Sequence, residues 1–414
     1  MSKHTQASCL APYLRKMRSA RFFFLFTCTT FTVFMIWAQI VNKPPVPEVL
    51  IQEALENVGR DLRFTNVYRK TTYLPKNLKY ILLWTRRDFA PFSSLEDGQR
   101  SFLKHNCSYV NCYVTANKSL FGRDYKHFHA IAFNGRNMKP YSRPRIRFPH
   151  QKYIFFNMES SDNYPVCHAR YDNFFNLTAT YKLDSDIPFP YILIRNLKGT
   201  IVGPKPNMRW NDMAPLDDDS YEMGNKTKAA AWFASHCKTR SKREKFVKQL
   251  HIALYPYGYK VHTYGKCGHL KCPRDRNSDC NLLLKRQYFF YLSLENSFAE
   301  DYVTEKLLTA LNHDVVPIVF GGANYSRFLP PGSYLDARKQ SIYQLAAIMD
   351  NLTRSPEEYR QYFRWKKHYT YHNPSTVENV CNICRALNDK NLMENTTGYQ
   401  NFRAWWNPNY TKMC

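Results

Sequence analysis

The sequence predicts an α/β protein with two parallel-sheet domains behind an apolar N-terminal span, and three observations carry that reading. Short apolar runs rich in aromatic and β-branched residues recur in two groups, at 80–84, 129–133 and 153–157, and again at 229–234, 288–294 and 315–320. Runs of this length read as strands buried on both faces of a parallel sheet. A stretch without periodicity, holding Pro204, Pro206, Pro215 and Asp217-Asp218-Asp219, separates the groups. The segment 288–322 has β-loop-α-β form: an apolar run ends in Glu295-Asn296, a polar loop leads to a helix opening at Thr304-Glu305-Lys306, and a second run stops at Gly321-Gly322.

Taken in order, the chain begins with a tail, 1–21, that carries Lys3, Arg15, Lys16, Arg18 and Arg21 and no acidic residue. Twenty uncharged residues, 22–41, follow, about the length that crosses a bilayer core. The positive-inside rule places the tail in the cytoplasm. No small-x-small cleavage site follows the apolar run, and Lys43-Pro44-Pro45-Val46-Pro47 comes instead. A type II transmembrane signal anchor at 22–41 and a stem at 42–77 are therefore expected. The first α/β domain occupies 78–200, a linker 201–227, and the second α/β domain 228–370. Within the second domain a helix is expected at 242–251, a short strand at 260–264 and a helix at 359–368. A C-terminal segment, 371–414, closes the chain.

Compartment is read from two further features. Eight N-x-S/T sequons stand at Asn106, Asn117, Asn176, Asn225, Asn324, Asn351, Asn395 and Asn409, all beyond the span. With 32 Asn and 47 Ser plus Thr in 414 residues, about four would arise by chance. Of the 12 cysteines, Cys9 and Cys28 fall in the tail and span, leaving an even set beyond it, as disulfides require. The formal net charge of +26 would otherwise suggest nucleic acid. The basic residues are spread along the chain, no nucleic-acid module is present, and the topology removes that partner.

Ligands of parallel α/β sheets sit beyond the carboxyl ends of the strands, so residues 295–306 fall where a nucleotide phosphate would meet a helix N-terminus, with Lys306 adding a cation. Leu294-Glu295-Asn296-Ser297 followed by Asp301-Tyr302-Val303-Thr304-Glu305-Lys306 resembles the donor motif of the α1,3-fucosyltransferases. Further blocks extend the resemblance over roughly 80–406: Asn173-Phe174-Phe175-Asn176-Leu177-Thr178 through Tyr181-Lys182-Leu183-Asp184-Ser185-Asp186-Ile187-Pro188, and Ala231-Trp232-Phe233-Ala234-Ser235-His236-Cys237 with Arg243.

What the resemblance implies is a GT-B fold of two Rossmann-like domains facing a cleft, a Golgi location, GDP-fucose as donor and an N-glycan as acceptor. An inverting transfer to the 3-hydroxyl of GlcNAc needs one base for the hydroxyl and cations for the departing pyrophosphate. Glu159, in Met158-Glu159-Ser160-Ser161, is similar to the family's F-E-S-P base, with Ser161 in place of proline. Arg243 and Lys306 would hold the pyrophosphate with the Tyr302 hydroxyl. Glu305 would accept from the ribose, Asn296 would bond near the pyrophosphate or fucose, and Glu295 would lie near the reaction centre.

No metal is required on this reading, and Mn²⁺ would at most stimulate. The Asp217-Asp218-Asp219 run lies in the linker and not after a strand, which makes it an acidic loop and not a metal-binding D-x-D site. In the family, cysteines placed like Cys107, Cys112, Cys381 and Cys384 bridge the two ends of the chain. A zinc site from them fails because lumenal thiols oxidise. Cys237, Cys267, Cys272 and Cys280 resemble the invertebrate and plant branch that fucosylates the innermost GlcNAc, while Cys167 and Cys414 are left without an assigned partner. The alternatives are antennal GlcNAc in LacNAc or LacdiNAc as acceptor, and a catalytically silent lumenal glycan-binding protein. Glu159, Arg243, Tyr302, Glu305 and Lys306 together argue against the silent one.

Overall fold

A computed structural model describes residues 27–37, 78–216, 224–271, 277–374 and 376–414. Two five-stranded parallel sheets dominate it. The first is built from β1 (Lys79–Leu83), β2 (Cys112–Thr115), β3 (Ala130–Asn134), β4 (Lys152–Asn157) and β5 (Leu177–Thr180), in the order β2-β1-β3-β4-β5. Every residue of β2, β3, β4 and β5 is buried. That is why β3 and β4 read as apolar runs without a two-residue alternation, whereas β5 alternates and buries Thr178 and Thr180.

After β6 (Leu193–Asn196) and β7 (Ile201–Gly203), the second sheet is built from β8 (Lys228–Phe233), β9 (Val261–Tyr264), β10 (Tyr288–Leu294), β11 (Val316–Phe320) and β12 (Leu335–Asp336), in the order β12-β11-β10-β8-β9. All its pairings are parallel. The central strand β10 is buried along its whole length. Helices Arg243–Leu254 and Ile342–Arg354 cover one face, burying Val247, Leu250, Leu345 and Met349 against Phe290, Leu292 and Ile318.

Two expectations are corrected. Part of the expected linker is a strand: β7 pairs antiparallel with β6, and β13 (Tyr369–His372) pairs antiparallel along β6's other edge. Chain from beyond the second sheet thus returns to the end of the first. Its signal was a half-buried alternation, with Tyr369 and Tyr371 inward and Thr370 and His372 outward. The helix expected at 359–368 is a helix Pro356–Gln361 and a 3-10 turn Arg364–Lys367. Pro356 is preorganised for a first helical turn and starts that helix early.

The helix Thr376–Asn388 adds Val380, Ile383 and Leu387 to the core of the first sheet, beside Ile81, Val114 and Ile154. Two disulfides hold it there, Cys107–Cys381 and Cys112–Cys384, while Cys167 pairs with Cys414 and Cys237 with Cys267. Cys280 is also disulfide-bonded, and Cys272 lies outside the described residues. Residues 27–37 form a helix with exposed side chains. No helix among the described residues is long and apolar enough to cross a membrane. The rest of the expected anchor, the stem and Asp217-Asp218-Asp219 lie outside the described residues.

Candidate active site

The loops that leave the carboxyl ends of β4 and β10 meet each other directly. Asn163 Nδ2 donates to Asn296 Oδ1 at 3.1 Å, Phe298 N–H donates to Asp162 Oδ2 at 3.1 Å, and Ser297 Oγ–H donates to Ser160 Oγ. A second layer joins the segment after β5 to the same loop, through Leu183 N–H to Asp301 Oδ2 at 3.2 Å and Lys182 Nζ to Glu300 at 3.0 Å. Asp301 is buried, stands in the left-handed region at φ 55° and also binds Arg327 at 2.9 Å. Burial raises its pKa, against the pull of those partners. Gly322 makes this loop possible, because a Cβ there would lie 1.7 Å from Phe298 O.

At that junction Glu159 is half-exposed. Its Oε2 accepts from the Tyr302 hydroxyl at 3.3 Å and its Oε1 lies 3.6 Å from Arg136 Nη1. Arg136 is held between the rings of Phe89 and Tyr164, at 3.8 and 4.8 Å. The Tyr191 hydroxyl donates to Met158 O, fixing the residue before Glu159, and its ring meets Tyr302 edge-on at 6.1 Å. Burial, with the nearby Tyr191, Glu295 and Glu159, pushes the Tyr302 hydroxyl well above its usual range, so it remains a donor.

Opposite lies a buried charge cluster. Glu295 Oε1 accepts from Thr304 N–H at 2.8 Å and from its hydroxyl at 2.9 Å, and Oε2 pairs with Lys306 Nζ at 3.2 Å. The carboxylate therefore occupies the N-terminus of helix Glu305–Leu311, where the sequence reading placed a phosphate. Lys306 also bonds Thr304 Oγ1 at 2.6 Å and Glu305 at 3.3 Å. Burial lowers its pKa, but Glu295 and Glu305 outweigh it, and the ammonium stays charged above its ordinary value. Arg243 is buried, donates to Leu294 O at 2.5 Å and His236 O at 3.4 Å, and has its Nε buried without a partner. Burial lowers its pKa while Glu295 opposes.

Glu159, Tyr302, Glu295, Asn296, Lys306 and Arg243 are thus contiguous, and Glu305, whose side chain is 59% exposed, borders them. Tyr302 faces Glu159 where the sequence reading aimed it at the leaving group. Arg136, Tyr191 and Asn163 were missed. Arg136 follows a strand-ending Asn134-Gly135, a position that sequence spacing could have flagged. Seven sequon asparagines are exposed, whereas Asn176 is half-buried. Among the described residues no group of three or more His, Cys, Asp or Glu could hold a metal ion.

Family models match both halves of the chain: "Fucosyltransferase, N-terminal" over residues 76–192 and "Glycosyltransferase family 10 (fucosyltransferase) C-term" over 223–405. The chain is 38% identical to α-(1,3)-fucosyltransferase C of Drosophila melanogaster over 73% of its length and 70% of the relative's. It is 29% identical to glycoprotein 3-α-L-fucosyltransferase A of the same organism, over 82% of its length and 64% of the relative's. A crystal structure of an α1,3-fucosyltransferase with GDP-fucose is similar at TM-score 0.47 and 15% identity, over 80% of this chain and 94% of that one. With both family models in sequence order and the 38% relative spanning most of the folded part, the chain belongs to glycosyltransferase family 10, the α1,3-fucosyltransferases.

Proposed function

We propose that this chain is an inverting GT-B enzyme of the Golgi membrane that moves L-fucose from GDP-β-L-fucose to the 3-hydroxyl of GlcNAc, at the innermost GlcNAc of N-glycans. The observation that carries it is the juxtaposition of one partly exposed carboxylate, Glu159, with two cations, Lys306 and Arg243, at the carboxyl ends of two parallel sheets.

In this reading Glu159 takes the proton of the acceptor hydroxyl as its oxygen bonds to the anomeric carbon, while the bond from that carbon to the diphosphate oxygen breaks and GDP leaves. Lys306 and Arg243 meet the developing charge on the diphosphate. All three protons of Lys306 are engaged here. The exposed Glu305 is the partner that would turn to the ribose and free one of them. Tyr302 keeps Glu159 aimed, and Glu295 stays at its helix end, where its bonds leave it no proton-transfer role. Two cations serve the leaving group, so a metal is not required.

The cysteine set around Cys237 and Cys267 and the similarity to a glycoprotein 3-α-L-fucosyltransferase support the innermost GlcNAc as acceptor. Antennal GlcNAc is the second reading, favoured by 27% identity over 93% of the chain to a rat 4-galactosyl-N-acetylglucosaminide 3-α-L-fucosyltransferase. Incubation with GDP-fucose and a panel of defined N-glycans, read by mass, tests both. Addition of one deoxyhexose to a glycan lacking antennal galactose is expected, and no addition to any member of the panel overturns the reading.

A further inference from the structure

A cavity of about 400 Å³ opens between two loops at the carboxyl edge of the first sheet and takes no part in the chemistry above. Its lining comes from the two loops that follow β3 and β4: Gly135, Met138 and Pro140 from one, and Pro165, Val166 and His168 from the other. Arg136, next to Gly135, is the residue paired with Glu159, so the cavity lies on the base's own edge of the sheet. Gly135 lets this loop pack tightly on β4, since a Cβ there would approach Asn157 Nδ2 and the Phe155 ring at 2.7 Å. The wall is rigid: Cys167 is bridged to Cys414, and Arg403 binds both Cys167 O, at 3.2 Å, and Asp172, at 2.7 Å. At the lip Tyr141 is 77% exposed, with the His168 ring edge-on at 6.0 Å and the Arg170 guanidinium 5.1 Å from its centroid.

Apolar walls, one imidazole and an uncovered aromatic ring suit a small amphipathic ring better than a charged or purely polar ligand. We propose that this cavity receives the sugar flanking the fucosylated GlcNAc, and that it selects a flanking sugar with an N-acetyl group. The methyl of an acetamido group would enter the Met138, Pro165 and Val166 wall, and its amide would reach His168. A hydroxyl at that position, as in galactose, would leave the apolar wall facing a polar group, a mismatch that disfavours it. This inference rests on the proposed fucosyl transfer for its position on the acceptor, and extends it to the neighbouring ring.

The test uses the full-length protein with two substitutions, Met138→Trp, which fills the cavity from a half-exposed position, and Tyr141→Ala, which strips the lip without touching the core. The probes are GlcNAc-β4-GlcNAc and Gal-β4-GlcNAc glycosides. Calorimetry measures their binding to the GDP-loaded protein, and transfer kinetics give acceptor and donor KM. The native protein is expected to prefer the GlcNAc-flanked probe, and each variant to raise its KM or Kd by about tenfold or more, the scale of a lost pocket contact, with donor KM unchanged. Should Met138→Trp fail to fold, Tyr141→Ala decides alone. Transfer at native acceptor KM in the folded variants overturns the cavity assignment and leaves the fucosyltransferase reading standing. Binding lost in the variants with no transfer by any form overturns that reading and keeps the cavity. No binding and no transfer by the native protein overturns both.

Discussion

The Tyr302 hydroxyl of the second α/β half donates to the Glu159 carboxylate of the first at 3.3 Å, so the group proposed as base is aimed by the half proposed to hold the donor. Glu159→Gln keeps an acceptor oxygen for Tyr302 and loses the capacity to take a proton. Turnover should fall about 10²–10⁴-fold, the usual scale of general base catalysis, with donor KM little changed. Tyr302→Phe should lower turnover less, because Arg136 still holds the other oxygen. Near-native turnover of Glu159→Gln, measured by fucose transfer, would remove Glu159 from the mechanism. Glu295 could not take its place, since both its oxygens are committed to Thr304 and Lys306.

Lys306→Ala leaves Glu295, 2% exposed, without its cation. Loss of GDP affinity should therefore come with a loss of stability of about 3–5 kcal/mol, the cost of an uncompensated buried charge. Lys306→Arg should recover stability more fully than GDP binding, because a planar guanidinium replaces a point charge. Arg243→Ala strips the Leu294 and His236 carbonyls of a donor and should weaken GDP binding too. GDP titration calorimetry with both alanine variants checks this, and native affinity in both would remove the two cations from the donor site.

Much of this site was legible because parallel strands carry their signal locally. The runs 153–157 and 288–294 needed no tertiary context to be read as strands, and residues 295–306 followed from where ligands of such sheets bind, while Glu159 was picked out by its resemblance to the family's F-E-S-P block. The two functions of the carboxylates were harder to separate. Nothing local distinguishes Glu159, left partly exposed, from Glu295, consumed in capping its own loop's helix. Long-range pairing was the other blind spot: β13 meets β6, Cys167 meets Cys414 and Arg136 meets Glu159 only after the chain has closed on itself.

Asn176 is a sequon whose side chain is already in use. Its Nδ2 donates to Thr396 O at 3.3 Å, and its Oδ1 accepts from Tyr153 N–H at 3.0 Å and from Arg147. A glycan on that nitrogen would compete with the first bond and crowd the second. Glycopeptide mass mapping of the protein expressed in a glycosylating host should find Asn176 unmodified while exposed sequons carry glycan, and a glycan at Asn176 would contradict the packing.

His129 should give the fold a sensitivity to mild acid. Its Nδ1 accepts from Tyr80 N–H at 3.1 Å, and burial, with Lys79 and His150 nearby, lowers its pKa to about 4. An unfolded histidine titrates near 6.5. Between those values the unfolded chain binds the extra proton, so this contribution is complete above about pH 6.5 and is lost as pH falls toward 4. His129→Asn keeps an acceptor without a titration in this window and should flatten Tm against pH between 6.5 and 4. An unchanged slope would assign the acid sensitivity elsewhere.

Asn407 positions the base loop from the far end of the chain. Its Nδ2 is shared between Ser161 O and Asp162 Oδ1, both at 3.1 Å, and the next-door Trp406 Nε1 donates to Tyr164 O at 2.8 Å. Those acceptors lie in the turn immediately after Glu159, and Asp162 also accepts from Phe298 of the donor loop. Asn407→Asp keeps the shape and replaces the donor with a carboxylate facing a carbonyl and a second carboxylate, both buried. The turn should shift to relieve that repulsion and carry Glu159 with it. Turnover should fall by about tenfold or more, with a stability loss of about 1–3 kcal/mol for the unsatisfied acceptors. The separation of kcat from donor KM distinguishes this from general loosening: Lys306 and Arg243 are untouched, so donor KM should stay near native. A variant that is destabilised yet turns over at the native rate would show that the tail braces the fold without placing the base.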